Sequence, residues 1–324
     1  MLRFPGLIDI GIEIRSGKWQ TITQTAVQSG YTALIAAPAA EEVFSEEADA
    51  VRSLKEPSRH SVCDYAKLGM ITPENIRSIN DWAEEVPGAM VDFPAFREAG
   101  TFAQMNLLTR LFSRWPAEKP ICVRGEESQI GSAIFMAQVH QRKVHVCSVV
   151  TRSEIELISE AKQNGIRVTC GVHPLSLLLS AETSGSTAGP LKRMGSEDDR
   201  QALWQHFSEI DCFSSSGMPD PVNDRGLGLS MMLPLLLSMR KSEMITLEDI
   251  LRRCCVNPAR LFGIALDPAT VVEIDDTRPT TDPNARDLVR RVRIHGKEVY
   301  NADDPLQSPS GLFVHSQRIR GHSA

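Results

Sequence analysis

Eight short runs rich in apolar and β-branched residues recur between residues 7 and 216, each separated from the next by a segment of helical character. They are LIDIGIEI (7–14), YTALIAAP (31–38), SVCDYAKL (61–68), GAMVDF (88–93), PICVRG (120–125), KVHVCSVV (143–150), IRVTCGV (166–172) and IDCFSSS (210–216). Strands that alternate with helices build parallel sheets, because a parallel crossover needs a helix-length connection. Eight such units predict an α/β fold of the TIM type, a closed (β/α)8 barrel. The chain's 324 residues suit one large barrel as well as two smaller domains.

Between the runs, FAQMNLLTRLFSRW and SEIELISEAKQNG place apolar residues three and four apart, which gives each one buried stripe. Gly30 and Gly165 follow such segments as C-terminal caps. Ser153 and Glu156 stand at capping-box spacing and predict a helix start after the sixth strand, and Thr246 predicts another cap. The barrel is expected over residues 1–265. VVEID (271–275) and VRRVRIHGKEVYN (289–301), with Gly296 near a turn, predict a small C-terminal β appendage over 266–305. The Ser, Gly and Thr-rich stretch 181–199 reads as a loop over the barrel mouth, and 306–324 as a tail or the start of a linker.

The formal net charge of -6 speaks against nucleic acid or an anionic membrane surface as partner. No run of 18 apolar residues and no signal-peptide pattern occurs, so a cytoplasmic location is expected. The seven cysteines are odd in number, lie mostly in apolar runs and never form C-x-x-C, which predicts buried free thiols. The acidic cluster Glu41, Glu42, Glu46, Glu47 and Asp49 reads as the charged first turn of a solvated helix.

Active sites of such barrels form at the C-terminal ends of the strands. Those ends offer Asp9, Gly11, Glu13 and Arg15 from the first strand, Ala37 and Ala39 from the second, Met90 and Asp92 from the fourth, Arg124 from the fifth, Ser148 from the sixth, His173 from the seventh and Ser216 from the eighth. A hydrolytic metal centre needs several neutral histidines or carboxylates converging on one point. Only His173 of the eight histidines stands at a strand mouth, so no metal and no other cofactor is expected. Ser214, Ser215 and Ser216 read as small residues filling the barrel interior. No nucleophile elbow, dinucleotide fingerprint or P-loop is present.

PGLIDIGIEIR (5–15) resembles the PGLIDVHVHLR signature that opens dihydroorotases of the amidohydrolase superfamily. The likeness continues through KVHVCSVV, RVTCGVHP, IDCFSSSGMP, MMLPLLLSM and VNPARLFG in the family's order. Against that family, the first-strand histidine pair falls on Gly11 and Glu13, and the metal-bridging carbamylated lysine on Met90. Two further ligand histidines fall on Arg124 and Ser148, and the catalytic aspartate on Ser216. Of the residues that grip substrate, the arginine is retained as Arg15, while the asparagine is replaced by Ala39.

The pattern is similar to the inactive dihydroorotase-like domain of fungal CAD-like multifunctional pyrimidine-biosynthesis proteins. That resemblance implies no catalytic residues and a scaffold covalently linked to carbamoyl phosphate synthetase and aspartate transcarbamoylase, in a homo-oligomer. Two alternatives remain open. One is an anion- or metabolite-binding regulatory module held by Arg15 and Arg124; the other is a metal-independent enzyme using Glu13, Asp92, Arg124 and His173. Whichever holds, Arg124 is expected to occupy the space of the lost cations and to pair with Glu13 or Asp92.

Overall fold

A computed structural model of the chain describes residues 1–15, 17–38, 44, 46–93, 101–183, 193–215, 227–277, 288–304 and 311–312. Its strands are β1 (Leu2–Phe4), β2 (Leu7–Glu13), β3 (Tyr31–Ala37), β4 (Asp64–Lys67), β5 (Gly69–Met70), β6 (Ala89–Asp92), β7 (Ile121–Arg124), β8 (Val144–Val146), β9 (Val168–Val172), β10 (Cys212–Phe213), β11 (Val271–Ile274), β12 (Val289–Ile294) and β13 (Lys297–Asn301). The α-helices are α1 (Trp19–Gln28), α2 (Glu47–Lys55), α3 (Ile79–Trp82), α4 (Thr101–Arg114), α5 (Glu127–His140), α6 (Arg152–Gln163), α7 (Glu197–Gln205), α8 (Leu227–Lys241), α9 (Leu247–Leu251) and α10 (Asn257–Phe262).

Each of the eight predicted runs carries a strand, and β2 to β10 all pair in parallel. The third barrel strand is split in two. Its first half, β4, pairs with β3, and its second half, β5, pairs with β6. Ladders therefore run β2-β3-β4 and β5-β6-β7-β8-β9-β10, joined through Leu68. The architecture is the α/β barrel that the alternation predicts.

Two apolar cores follow from strand alternation. One fills the space between strands and helices. The other is separate and contains Ile8, Ile10, Ala33, Ile35, Ala66, Leu68, Met70, Met90, Cys122, Cys147 and Cys212, with Ala259 and Phe262 of α10. These strand residues line the barrel interior, and Phe262 approaches Gly88 at the N-terminal end of β6. All seven cysteines are buried free thiols.

Three expectations need correction. The appendage is a four-stranded antiparallel sheet in the order β1-β11-β12-β13, so Leu2–Phe4 belongs to it and not to the barrel. Three residues are too few to display an alternation in sequence. The cap of α6 is Thr151 rather than Ser153: Thr151 Oγ1 accepts the Glu154 N–H at 3.3 Å, and Glu154 Oε2 accepts the N–H groups of Thr151 and Val150 at 3.2 and 2.9 Å. Finally, the stretch read as a loop to residue 199 ends earlier, because Ser196 and Asp199 form a capping box that starts α7 at Glu197.

The other local readings hold. Gly30 and Gly165 have φ of 86° and 73° just past α1 and α6. Thr246 caps α9. Glu47 and Asp49 lie in the first turn of α2, while Glu41 and Glu42 lie outside the described residues. Among the described residues no helix is long and apolar enough to cross a membrane.

Candidate functional site

The register of the sheet sets the site. Asp92 and Arg124 are neighbours across the β6–β7 ladder, at the last residue of each strand. Glu13 ends β2 on the other side of the mouth. Arg124 Nη1 reaches both carboxylates, donating to Glu13 Oε1 at 3.1 Å and to Asp92 Oδ2 at 3.2 Å. Side-chain exposure is 18% for Arg124, 20% for Asp92 and 48% for Glu13, so the Asp92 half of the triad is the drier one. Burial alone would lower the guanidinium pKa, but the charges of Asp92 and Glu13 outweigh it and raise it. Arg124 stays cationic and cross-links three strands.

The glycine at position 11 has a backbone role that its sequence position does not announce. It takes φ of 89°, and the β2–β3 register shifts between Ile10 and Glu13. An L side chain disfavours that conformation, whereas glycine adopts it freely. The bulge re-aims the end of β2, where Glu13 stands.

The remaining mouth residues offer poor metal donors. Met90 is buried at 1% exposure in the interior core. Ser148 is half-buried with φ of 57° and is engaged in other contacts. Arg15 is exposed just past β2. Ala39 and Ser216 lie outside the described residues. A binuclear zinc centre needs anionic or neutral N and O donors. A glycine, a buried thioether and an arginine already holding the two carboxylates do not fit one.

His173 is not drawn into the Arg124 triad. Its Nδ1 accepts the Leu175 N–H at 3.1 Å, which starts the short helix Pro174–Leu177. Burial pushes its pKa down to about 4, so the ring is neutral near pH 7. It is a capping residue here, and its ring makes no hydrogen bond to Glu13, Asp92 or Arg124.

Two features escape a reading of the sequence. Asp9, at the first strand's mouth in sequence, is fully buried and holds Ser215 at 2.7 Å through both carboxylate oxygens. Cys147, just past β8, lies beside the Cys122 thiol on the neighbouring strand; that thiol and the Arg124 charge lower its pKa against the effect of burial. The β7–β8 ladder brings the two thiols together, whereas Asp9 and Ser215 meet across the seam between the first and eighth barrel strands. In sequence, 206 residues separate Asp9 from Ser215.

No family model matches the chain. The solved inactive dihydroorotase-like domain of the Chaetomium thermophilum CAD-like multifunctional protein superposes with a TM-score of 0.83 and 25% identity, over 96% of this chain and 98% of that one. The chain has the fold of a dihydroorotase-like amidohydrolase barrel. The dihydroorotase-like barrel is also similar in fold to L-hydantoinase from Arthrobacter aurescens, with a TM-score of 0.79 and 18% identity over 97% of this chain and 89% of that one. Among curated proteins, it is 28% identical over 85% of its length to the multifunctional protein CAD of Squalus acanthias. It is 26% identical over 97% to the multifunctional protein pyrABCN of Emericella nidulans. It spans only 13% and 15% of the length of these two relatives.

Proposed function

We propose that this chain is a non-catalytic dihydroorotase-like domain that serves as a structural spacer. On this reading it stands between carbamoyl phosphate synthetase and aspartate transcarbamoylase in a cytoplasmic multifunctional protein of pyrimidine biosynthesis. The observation that carries the proposal is Arg124, which bridges Glu13 and Asp92 at the barrel mouth. A cation fixed on those carboxylates takes the role that metal ions play in a hydrolytic barrel, charge compensation, without providing an open position for water. The similarity to an inactive dihydroorotase-like domain supports the same reading.

The spacer is further proposed to self-associate. Phe135 and Val139 lie one turn apart on α5 and are 55% and 57% exposed, an unusual apolar outlay for a surface helix.

The test is direct. Protein purified from zinc-supplemented medium is analysed for metal and assayed for interconversion of carbamoyl-aspartate and dihydroorotate. Substoichiometric zinc and no turnover are expected. Stoichiometric zinc with turnover would overturn the proposal. Sedimentation of Phe135→Glu beside the parent protein reads self-association, which that substitution should weaken.

A further inference from the structure

The tip of the β12–β13 hairpin meets the N-terminal end of β4, the end opposite the barrel mouth, and carries a charge arrangement that the spacer reading does not use. His295 and Gly296 turn the hairpin with φ of 52° and 76°. Thr270 Oγ1 accepts the His295 N–H at 3.1 Å, and Ala269 O accepts the Gly296 N–H at 3.2 Å, so the turn is anchored on the chain between α10 and β11. The imidazole lies between two carboxylates. Nδ1 is 2.8 Å from Asp267 Oδ2, and Nε2 is 2.8 Å from Asp64 Oδ2.

Asp64 starts β4, so this contact joins the appendage to the barrel wall. Its other oxygen, Oδ1, accepts the Leu312 N–H at 3.0 Å. The same short segment is held twice more: Tyr65 N–H donates to Leu312 O at 3.0 Å, and Gly311 N–H donates to Ser61 O at 2.9 Å. A Cβ on Gly311 would meet Cys63 O at 1.9 Å, so only glycine permits this approach. Residues 311–312 are thus seated on the beginning of β4.

We propose that His295 is a protonation latch that controls the seating of Gly311–Leu312 on the barrel. A neutral imidazole carries one N–H and can serve only one of the two carboxylates; the other ring nitrogen then faces a carboxylate lone pair to lone pair. The imidazolium donates to both. With the latch charged, Asp64 is fixed in the orientation that offers Oδ1 to Leu312. With it neutral, the Asp64 and Asp267 charges compete for one proton, and the seat loosens.

Among the described residues the charged groups facing His295 are Asp64 from β4 and Asp267 from the loop after α10. Beside Asp64 lies Cys63, buried and held as the neutral thiol by desolvation. Burial disfavours the imidazolium, but the hydrogen bond to Asp267 and the charge of Asp64 outweigh it and raise the His295 pKa above its usual 6.5. Asp64 is itself raised, by burial first, against the Leu312 N–H and the His295 charge, which lower it. The latch is therefore closed between the titration of Asp64 on the acid side and that of His295 on the alkaline side. It is fully present at and below pH 6.5, until Asp64 protonates, and is lost as pH rises through the raised His295 value.

Hydrogen exchange of the whole chain tests this, read at the Tyr65 and Leu312 amides and corrected for intrinsic exchange. Protection should fall about tenfold between roughly pH 6 and pH 8.5, while the amides of β7 change little. His295→Asn keeps a residue that tolerates the left-handed turn but cannot become charged; protection at both amides should be low and independent of pH. An imidazole titration by NMR should place His295 above 6.5. Parent protection that is constant over the range, or a His295 pKa at or below 6.5, overturns the proposal. Should His295→Asn not fold, Asp267→Asn decides instead: it removes one bracket and must lower the pH at which protection is lost, and an unmoved midpoint counts against the latch.

Discussion

Ser215 donates its backbone N–H to Asp9 Oδ1 and its hydroxyl to Asp9 Oδ2, each at 2.7 Å, and so ties the end of the eighth barrel strand to the first. Asp9 lies on β2 and Ser215 two residues past β10. Among the described residues no backbone ladder joins β10 to β2, and this side-chain clamp links the two strand ends at the seam. Burial dominates the electrostatics and pushes the Asp9 pKa from 3.8 up to about 6, although the Ser215 donors pull it down.

That shift predicts the pH dependence of stability. The unfolded chain releases the Asp9 proton near 3.8, while the folded chain keeps it until about pH 6. Folding takes up a proton between these values, so stability attributable to Asp9 is greatest at the acid end and falls as pH rises, by about 3 kcal/mol. Asp9→Asn, neutral throughout, should lose this slope, and its deficit against the parent should shrink from about pH 4 to 7. Urea midpoints of both proteins across that range check it; parallel profiles would refute the assignment.

Arg124→Ala should lower stability by about 1–3 kcal/mol, because Asp92 is left in a mostly dry site without its cation. A larger loss is not expected, since Glu13 is half-exposed and water can replace its partner. Glu13→Gln should accordingly cost about 0–1 kcal/mol. Unfolding at near-neutral pH measures both, and equal losses would show that Glu13 contributes as much as Asp92.

The buried carboxylate of Glu154 makes a third case. At 1% side-chain exposure it accepts the Val150 and Thr151 N–H groups and pairs with Arg193 at 2.5 Å. Glu154→Ala removes the reciprocal cap of α6 and strands those donors, which should cost about 2–4 kcal/mol. Arg193→Ala should cost less, because the backbone donors remain to hold the carboxylate. Thermal unfolding of the two variants separates these contributions, and the reverse order would make the ion pair the dominant contact.

The barrel was legible because period-two runs and helical stripes are local properties, visible wherever a segment is long enough to repeat. β1 was not, being only Leu2–Phe4, with its partner β11 far along the chain. The Arg124 pairing with Asp92 could be anticipated from charge and strand-end position, as could its reach to Glu13. The Asp9 clamp could not, because nothing local to IDIGIE or FSSS specifies that a carboxylate on one strand meets a serine across the seam. Ser153 misled for a different reason. Thr151–Glu154 and Ser153–Glu156 have identical spacing, and the choice between them is made by the burial of Glu154 against Arg193.

The backbone at Gly11 supplies the last prediction, which separates loss of ligands from remodelling of the strand. If Gly11 were merely a histidine position with its side chain removed, restoring a side chain would be harmless. Its φ of 89° and the accompanying register shift imply otherwise. Gly11→Ala should cost about 1–2 kcal/mol, the penalty of a left-handed L residue, even though alanine adds a single methyl group. Gly11→His should cost at least as much. Combining it with Glu13→His should not yield a protein that retains zinc through dialysis, because Arg124 still holds Asp92 and the bulge aims the strand end elsewhere. Calorimetric unfolding of the single variants and metal analysis of the double variant are the measurements. A stable double variant with stoichiometric zinc would mean that the strand still carries the geometry of a metal site and that only side chains were lost.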